Sequence, residues 1–312
     1  MKVIANNIAI EVEDTGGDGP AVLLIMGLGM QLTAWPEPFV QGLVQAGYRV
    51  LRHDNRDIGL SQSFNGARRR NLLWEALRQK IGLPVRAPYS LQDMALDALG
   101  VLDALDIREA HVVGASMGGM IAQRVAATAP GRVRSLVSIM SSSGARGLPG
   151  PRPEVGSALM RRPRTQDEAA LVEYSLGLVR LIASPGWPFD EAANRERIAI
   201  GLRRSWRPEG VVRQMLAIGA DTGLRPQVLP NISSPTLVLH GDADPLVPIA
   251  CGRDTARRIP GARFEAISGF AHDLPPGAQQ VLLGHIVPFL READARCAPP
   301  PAAALAAPGV LP

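Results

Sequence analysis

Four short, nearly continuous apolar runs constrain this chain more than anything else in it: AVLLIM at 21–26, HVVGAS at 111–116, VRSLVSIM at 133–140 and PTLVLHG at 235–241. A strand with one wet face alternates apolar and polar residues. These runs do not, so both faces of each must be covered. The segments between them read as helices. Residues 37–46 put Phe39, Val40, Leu43 and Val44 on one side and stop at Gly47. Ser90 to Leu105 opens on a Ser90 cap with Asp93 three residues later, then carries an apolar stripe. Residues 120–130 are halted by Pro130 and Gly131. Further strands are predicted near the N-terminus (Val3 to Val12), at 48–54 and at 262–268, with helices at 71–82 and 277–291. Strands alternating with helices predict the α/β class: a mostly parallel sheet with helices on both faces.

The alternation breaks once. From residue 141 the chain is rich in Gly, Pro and Ser, and from there to 222 it is helical with no clear strand. The expected organisation is a core of 1–140 and 223–291, with 141–222 inserted as a helical cap. The Ala- and Pro-rich stretch 292–312 is expected to be a disordered tail, because it offers little apolar surface to offset the entropy of ordering. Hydrophobic residues make up 46% of the chain but aromatics only 4%, so the core must rest on Leu, Val, Ile and Ala.

Gly114-Ala115-Ser116-Met117-Gly118 fits G-x-S-x-G between a strand and a helix, the setting that motif requires. The glycines permit a sharp, strained turn that presents the serine hydroxyl, and the helix N-terminus behind it favours developing negative charge. A serine hydroxyl needs a base to become a nucleophile. Of the five histidines, His53, His111 and His240 lie in or beside strands and His285 inside the last helix. His272 lies in the loop between the last strand and the last helix, from which it can reach the serine. The base needs an orienting acid. Gly241-Asp242-Ala243-Asp244-Pro245 follows a buried strand; Asp244 is the choice, and Asp242 reads better as a turn residue holding backbone N–H groups. The order Ser, Asp, His differs from the chymotrypsin and subtilisin orders. Two backbone N–H donors are expected for an oxyanion, from Met117 and from Leu28 in the Gly27-Leu28-Gly29 turn.

These residues, with Met26-Gly27-Leu28-Gly29, Arg56-Asp57-Ile58-Gly59-Leu60-Ser61 and Phe270–Pro275, resemble the α/β-hydrolase family over residues 1–291 outside the insert. RHDNRDIGLS followed by HVVGASMGGMIAQ is similar to its esterase and methylesterase branch, near aclacinomycin methylesterase. The resemblance implies an eight-stranded sheet, a cap and ester hydrolysis without a cofactor or metal. Many members carry His-Gly where this chain has Met26-Gly27; the donors there are backbone groups, so the change leaves them in place.

The expected reaction is acyl transfer from a small-molecule ester to water. C–C bond hydrolysis, a perhydrolase-type haloperoxidase reaction and a ligand receptor on the same scaffold are the alternatives. Trp187, Phe189, Trp206, Met160 and Met215 in the insert, and Trp35 and Phe39 near the Leu28 turn, are candidates to line a substrate pocket or simply to fill a core. The net charge of +4 concentrates at Arg68–Arg70 and at Arg161, Arg162 and Arg164 without any nucleic-acid motif, so no nucleic-acid partner is expected. The N-terminus lacks the apolar stretch of a signal peptide and no run of about 18 apolar residues occurs, so no membrane span and a cytoplasmic location are expected.

Overall fold

A computed structural model describes residues 1–66, 72–81, 83–161 and 166–297. In chain order the elements are β1 (Lys2–Ala5), β2 (Ile8–Asp14), β3 (Ala21–Ile25), α1 (Glu37–Gln45), β4 (Arg49–His53), α2 (Leu72–Lys80), α3 (Leu91–Ala104), β5 (Ala110–Ala115), α4 (Met117–Thr128) and β6 (Val133–Ile139). Four helices follow with no strand between them: α5 (Pro153–Met160), α6 (Glu168–Leu181), α7 (Glu191–Arg204) and α8 (Pro208–Asp221). The chain then returns as β7 (Thr236–Gly241), α9 (Ile249–Arg258), β8 (Arg263–Ile267) and α10 (Pro276–Cys297).

The strands form one eight-stranded sheet in the order β1-β2-β4-β3-β5-β6-β7-β8. β1 and β2 pair antiparallel, as do β2 and β4; every other pair is parallel. The apolar runs are strands for the reason their composition demands. Leu23 and Ile25 of β3 pack with α3 and α4 through Leu91, Met94, Ala98, Ile121 and Val125. The alternate residues Val22 and Leu24 pack with α1 and α10 on the opposite side, through Phe39, Leu43, Leu282 and Ile286. At the start of α3 the Asp93 N–H bonds Ser90 Oγ at 3.1 Å while the Asp93 carboxylate takes the Ser90 N–H at 2.8 Å.

Two elements differ from expectation. α9 is not predicted, because its buried residues Cys251, Gly252, Asp254 and Thr255 make no apolar stripe. The last helix runs past 291 to Cys297, so the first six residues assigned to a disordered tail are helical. Polar contacts hold that end and hydropathy does not register them. The Asp294 carboxylate accepts from Arg134 Nη1 at 2.6 Å, His111 Nε2 at 3.0 Å and Tyr48 Oη at 3.1 Å. The rest of that stretch, 298–312, lies outside the described residues, as do Arg68–Arg70, Arg162 and Arg164. Among the described residues no helix is long and apolar enough to cross a membrane.

Packing also leaves one titratable group without support. His53 ends β4 fully buried, and among the described residues neither ring nitrogen has a hydrogen-bond partner. Burial lowers its pKa from 6.5 to about 4, against the opposing influence of the Asn55 side chain. The unfolded chain therefore binds this proton first as pH falls. We predict that stability decreases as pH drops from 6.5 towards 4, with up to about 3 kcal/mol from His53 alone. Thermal melts of wild type and His53→Leu across that range check this; an equally steep loss in both would exclude His53 as the source.

Candidate active site

Ser116 stands alone between β5 and α4, with φ 56° and ψ −120°. A non-glycine residue there is strained, and the surroundings hold it. Ser116 N–H bonds the Ile139 carbonyl at 2.9 Å, and Ser141 Oγ donates to the Ser116 carbonyl at 2.7 Å. The motif glycines are required by contact. A Cβ on Gly118 would meet the Ile25 carbonyl oxygen at 1.9 Å, and one on Gly114 the Gly118 carbonyl oxygen at 2.2 Å. Strand and helix cross too closely at this turn to admit a side chain.

His272 comes to the serine from the β8–α10 loop. Its Nε2 lies 2.9 Å from Ser116 Oγ and its Nδ1 2.7 Å from Asp244 Oδ2. The other carboxylate oxygen, Oδ1, accepts N–H groups from Leu246 at 2.9 Å and Val247 at 2.8 Å. Burial pushes the Asp244 carboxyl up, but His272 and the Val247 N–H outweigh it and hold the group below its usual range. The Asp242 carboxylate accepts the distant Gly269 N–H at 2.7 Å and takes no part in the serine–histidine chain, while the N–H groups of the turn expected of it are held by Asp244. His240 Nε2 bonds the Val247 carbonyl at 2.7 Å and packs behind Asp244.

The Gly27–Gly29 turn abuts Ser116. A Cβ on Gly27 would lie 3.1 Å from Ser116 Cβ and 3.6 Å from Ser116 Oγ. Met117 N–H opens α4 and has no intrahelical carbonyl to meet. Among the described residues neither it nor Leu28 N–H has a hydrogen-bond acceptor. Two unpaired donors thus stand beside a hydroxyl that a histidine can deprotonate, an arrangement suited to attack on a carbonyl whose oxygen becomes negative.

Sequence reasoning did not find the residues of the inserted helices that hold this site. Between α6 and α7, Ile182 O accepts His272 N–H at 3.0 Å and Gly186 N–H donates to Gly269 O at 2.9 Å. Ser184 Oγ accepts Ala271 N–H at 2.8 Å and donates to the Asp273 carboxylate. On α8, Arg213 makes a two-point ion pair with Asp57 at 2.7 and 2.8 Å, and Gln214 bridges Gly29 N–H and the Arg56 carbonyl. Arg204 of α7 reaches Asp54 at 2.7 Å. The RHDNRDIGLS motif was the available signal, since Asp54 and Asp57 are its anchors.

The aromatic candidates separate. Trp35 is 1% exposed and stacks on Phe39 within the core, centroids 5.3 Å apart. Trp187 is half-buried and packs edge-on against Phe270, two residues from His272. Trp206, at 39% exposure, and Met160, at 38%, are open to solvent, while Phe189 lies under the Arg180 guanidinium. Met215 is partly buried on α8. Among the described residues no group of three or more His, Cys, Asp or Glu side chains could hold a metal ion.

The chain is similar to rhodomycin D methylesterase DnrP of Streptomyces peucetius, at 31% identity covering 88% of this chain and 92% of that protein. It is also similar to the non-heme chloroperoxidase CPO-A1 of Kitasatospora aureofaciens, at 28% identity covering 88% and 94%. A thermophilic esterase from Thermogutta terrifontis superposes with a TM-score of 0.68 at 25% identity, covering 94% of this chain and 98% of that one. Residues 20–276 match the alpha/beta hydrolase fold family, and the chain belongs to it.

Proposed function

We propose that this chain is a serine hydrolase that cleaves carboxylic esters of small molecules through an acyl-enzyme. The observation that carries the reading is the unbroken hydrogen-bonded chain from Ser116 Oγ through His272 to Asp244, beside two unpaired N–H donors. His272 Nε2 takes the Ser116 proton as Oγ bonds to the ester carbonyl carbon. The carbonyl oxygen becomes an oxyanion held by Leu28 and Met117 N–H. Asp244 holds the ring with Nδ1–H towards itself and stabilises the imidazolium. Collapse breaks the carbon–oxygen bond to the alcohol portion, which leaves with the proton from His272. Water then gives a proton to His272 and attacks the acyl carbon; the acid departs and the proton returns to Ser116.

The similarity to a methylesterase supports esters over other bonds, and methyl esters of bulkier acids are the first class to try. The similarity to a non-heme chloroperoxidase is compatible with the same acyl-enzyme accepting hydrogen peroxide in place of water. A panel of p-nitrophenyl and methyl esters tests the reading, together with a fluorophosphonate probe. Turnover of at least one ester and labelling confined to Ser116 are expected. No turnover across the panel, with no labelling, would leave a binding protein on a hydrolase scaffold as the better account.

A further inference from the structure

We infer that Gln214, on helix α8, is a positioning residue that sets the oxyanion donor of the Gly27–Gly29 turn, so the helical segment between β6 and β7 takes part in catalysis. The inference rests on the ester-hydrolase reading above.

Gln214 is fully buried. Its Oε1 accepts Gly29 N–H at 2.9 Å, and its Nε2 donates to the Arg56 carbonyl at 3.0 Å. One partner is only a donor and the other only an acceptor; a side-chain amide satisfies both at once, whereas a carboxylate or an apolar side chain cannot. The two bonds tie the turn to the RHDNRD loop through a single side chain.

The geometry of the turn makes that tie consequential. Met30 N–H bonds the Gly27 carbonyl at 3.2 Å, closing the turn. That carbonyl and Leu28 N–H belong to the same planar peptide group and point in opposite directions, so fixing one aims the other. The next peptide carries Gly29 N–H, which Gln214 holds. Leu28 is thus bounded by two anchored peptides, one closed within the turn and one held by α8. Gly29 sits at φ 69°, and a Cβ there would meet a Val211 methyl at 3.0 Å, so the helix also lies directly against the turn.

α8 is itself fixed. The adjacent Arg213 grips Asp57 with two bonds, and a Cβ on Gly210 would strike the Asp57 carbonyl oxygen at 2.2 Å. The anchored first two turns of α8 therefore deliver Gln214 to the Gly27–Gly29 turn. An oxyanion forms only as the carbonyl is attacked, so an error in the Leu28 donor should weaken the transition state more than the bound ester.

The test is Gln214→Met, which keeps the length of the side chain and removes both hydrogen bonds. Folded protein is isolated by gel filtration, and kcat, KM and the rate of fluorophosphonate labelling are measured. We expect kcat to fall by about 10- to 100-fold, less than loss of a whole donor. KM should stay within about threefold, and labelling should slow in proportion to kcat. A purely structural role would lower the melting temperature and leave kcat of the folded protein unchanged. A kcat within about twofold of wild type overturns the inference, as does a loss confined to KM. Should Gln214→Met not fold, Gln214→Asn keeps a neutral amide but is one methylene too short to hold Gly29 N–H and the Arg56 carbonyl together, and the same two criteria apply. Failure of the wild type to label or to turn over any ester overturns the underlying hydrolase reading instead; a wild type that labels beside an unimpaired Gln214 variant overturns this inference alone.

Discussion

Replacing Ser116 by alanine is expected to lower kcat/KM for an ester by about five orders of magnitude or more, to the background left by the remaining groups. Ser116 Oγ is the hydroxyl that bonds His272 Nε2. Ser141, which touches the same turn, cannot replace it, because its hydroxyl donates to the Ser116 carbonyl at 2.7 Å. Without Ser116 Oγ, His272 can at best activate water, while Leu28 and Met117 N–H still stabilise an oxyanion. Some acceleration over the uncatalysed reaction therefore remains, on the order of 10³-fold. His272→Ala should fall to a similar level, and the double variant should be no worse than either single one, because the two side chains act as one unit. The fold should survive. Alanine keeps the main-chain bonds of residue 116, and the Ser116 side chain caps no helical N–H. Steady-state kinetics on purified protein with matched melting curves check this. A Ser116→Ala enzyme retaining more than about one per cent of wild-type activity would show that the hydroxyl is not the nucleophile.

Much of this site was legible because its chemistry is local in sequence. Gly114, Ser116 and Gly118 are spaced by the turn they make. AVLLI and VRSLVSI announce strands because their two faces pack on different helices. His272 and Asp244, which the structure brings to Ser116, could be proposed because each follows the C-terminal end of a strand. The helical character of 141–222 was legible, but the placement of its helices was not, for a physical reason. α7 buries no residue fully and shows no strong apolar stripe, so hydropathy says nothing of where it lies. What fixes the insert is polar and distant in sequence: Arg213 to Asp57, Arg204 to Asp54, Ser184 to Asp273. No period or spacing encodes pairs that lie 89 to 156 residues apart. Each partner alone reads as an ordinary surface charge. The same limit hid the last turns of α10, which depend on Asp294 meeting Arg134 and His111 across the molecule.

Asp244→Asn is expected to reduce kcat by about 10³- to 10⁴-fold, whereas Asp242→Asn should leave it within about threefold. The difference follows from which atoms each carboxylate faces. At 244, Leu246 and Val247 N–H both point at Oδ1. An asparagine must place its carbonyl oxygen there, because its NH₂ would face two donors. The NH₂ is then turned to His272 Nδ1, 2.7 Å from the present Oδ2. To accept that hydrogen bond, the imidazole must carry its proton on Nε2, the nitrogen that should receive the proton of Ser116. The ring is held in place but in the wrong tautomer, so the loss falls on kcat while the ester still binds. At 242 the side chain is exposed and, among the described residues, accepts only Gly269 N–H; the asparagine carbonyl can do the same with its NH₂ in water. Kinetics of the two variants on one ester, with melting curves as the check on folding, decide between them. A severe loss in Asp242→Asn beside a mild one in Asp244→Asn would move the orienting acid by two residues and detach Asp244 from the proton transfer.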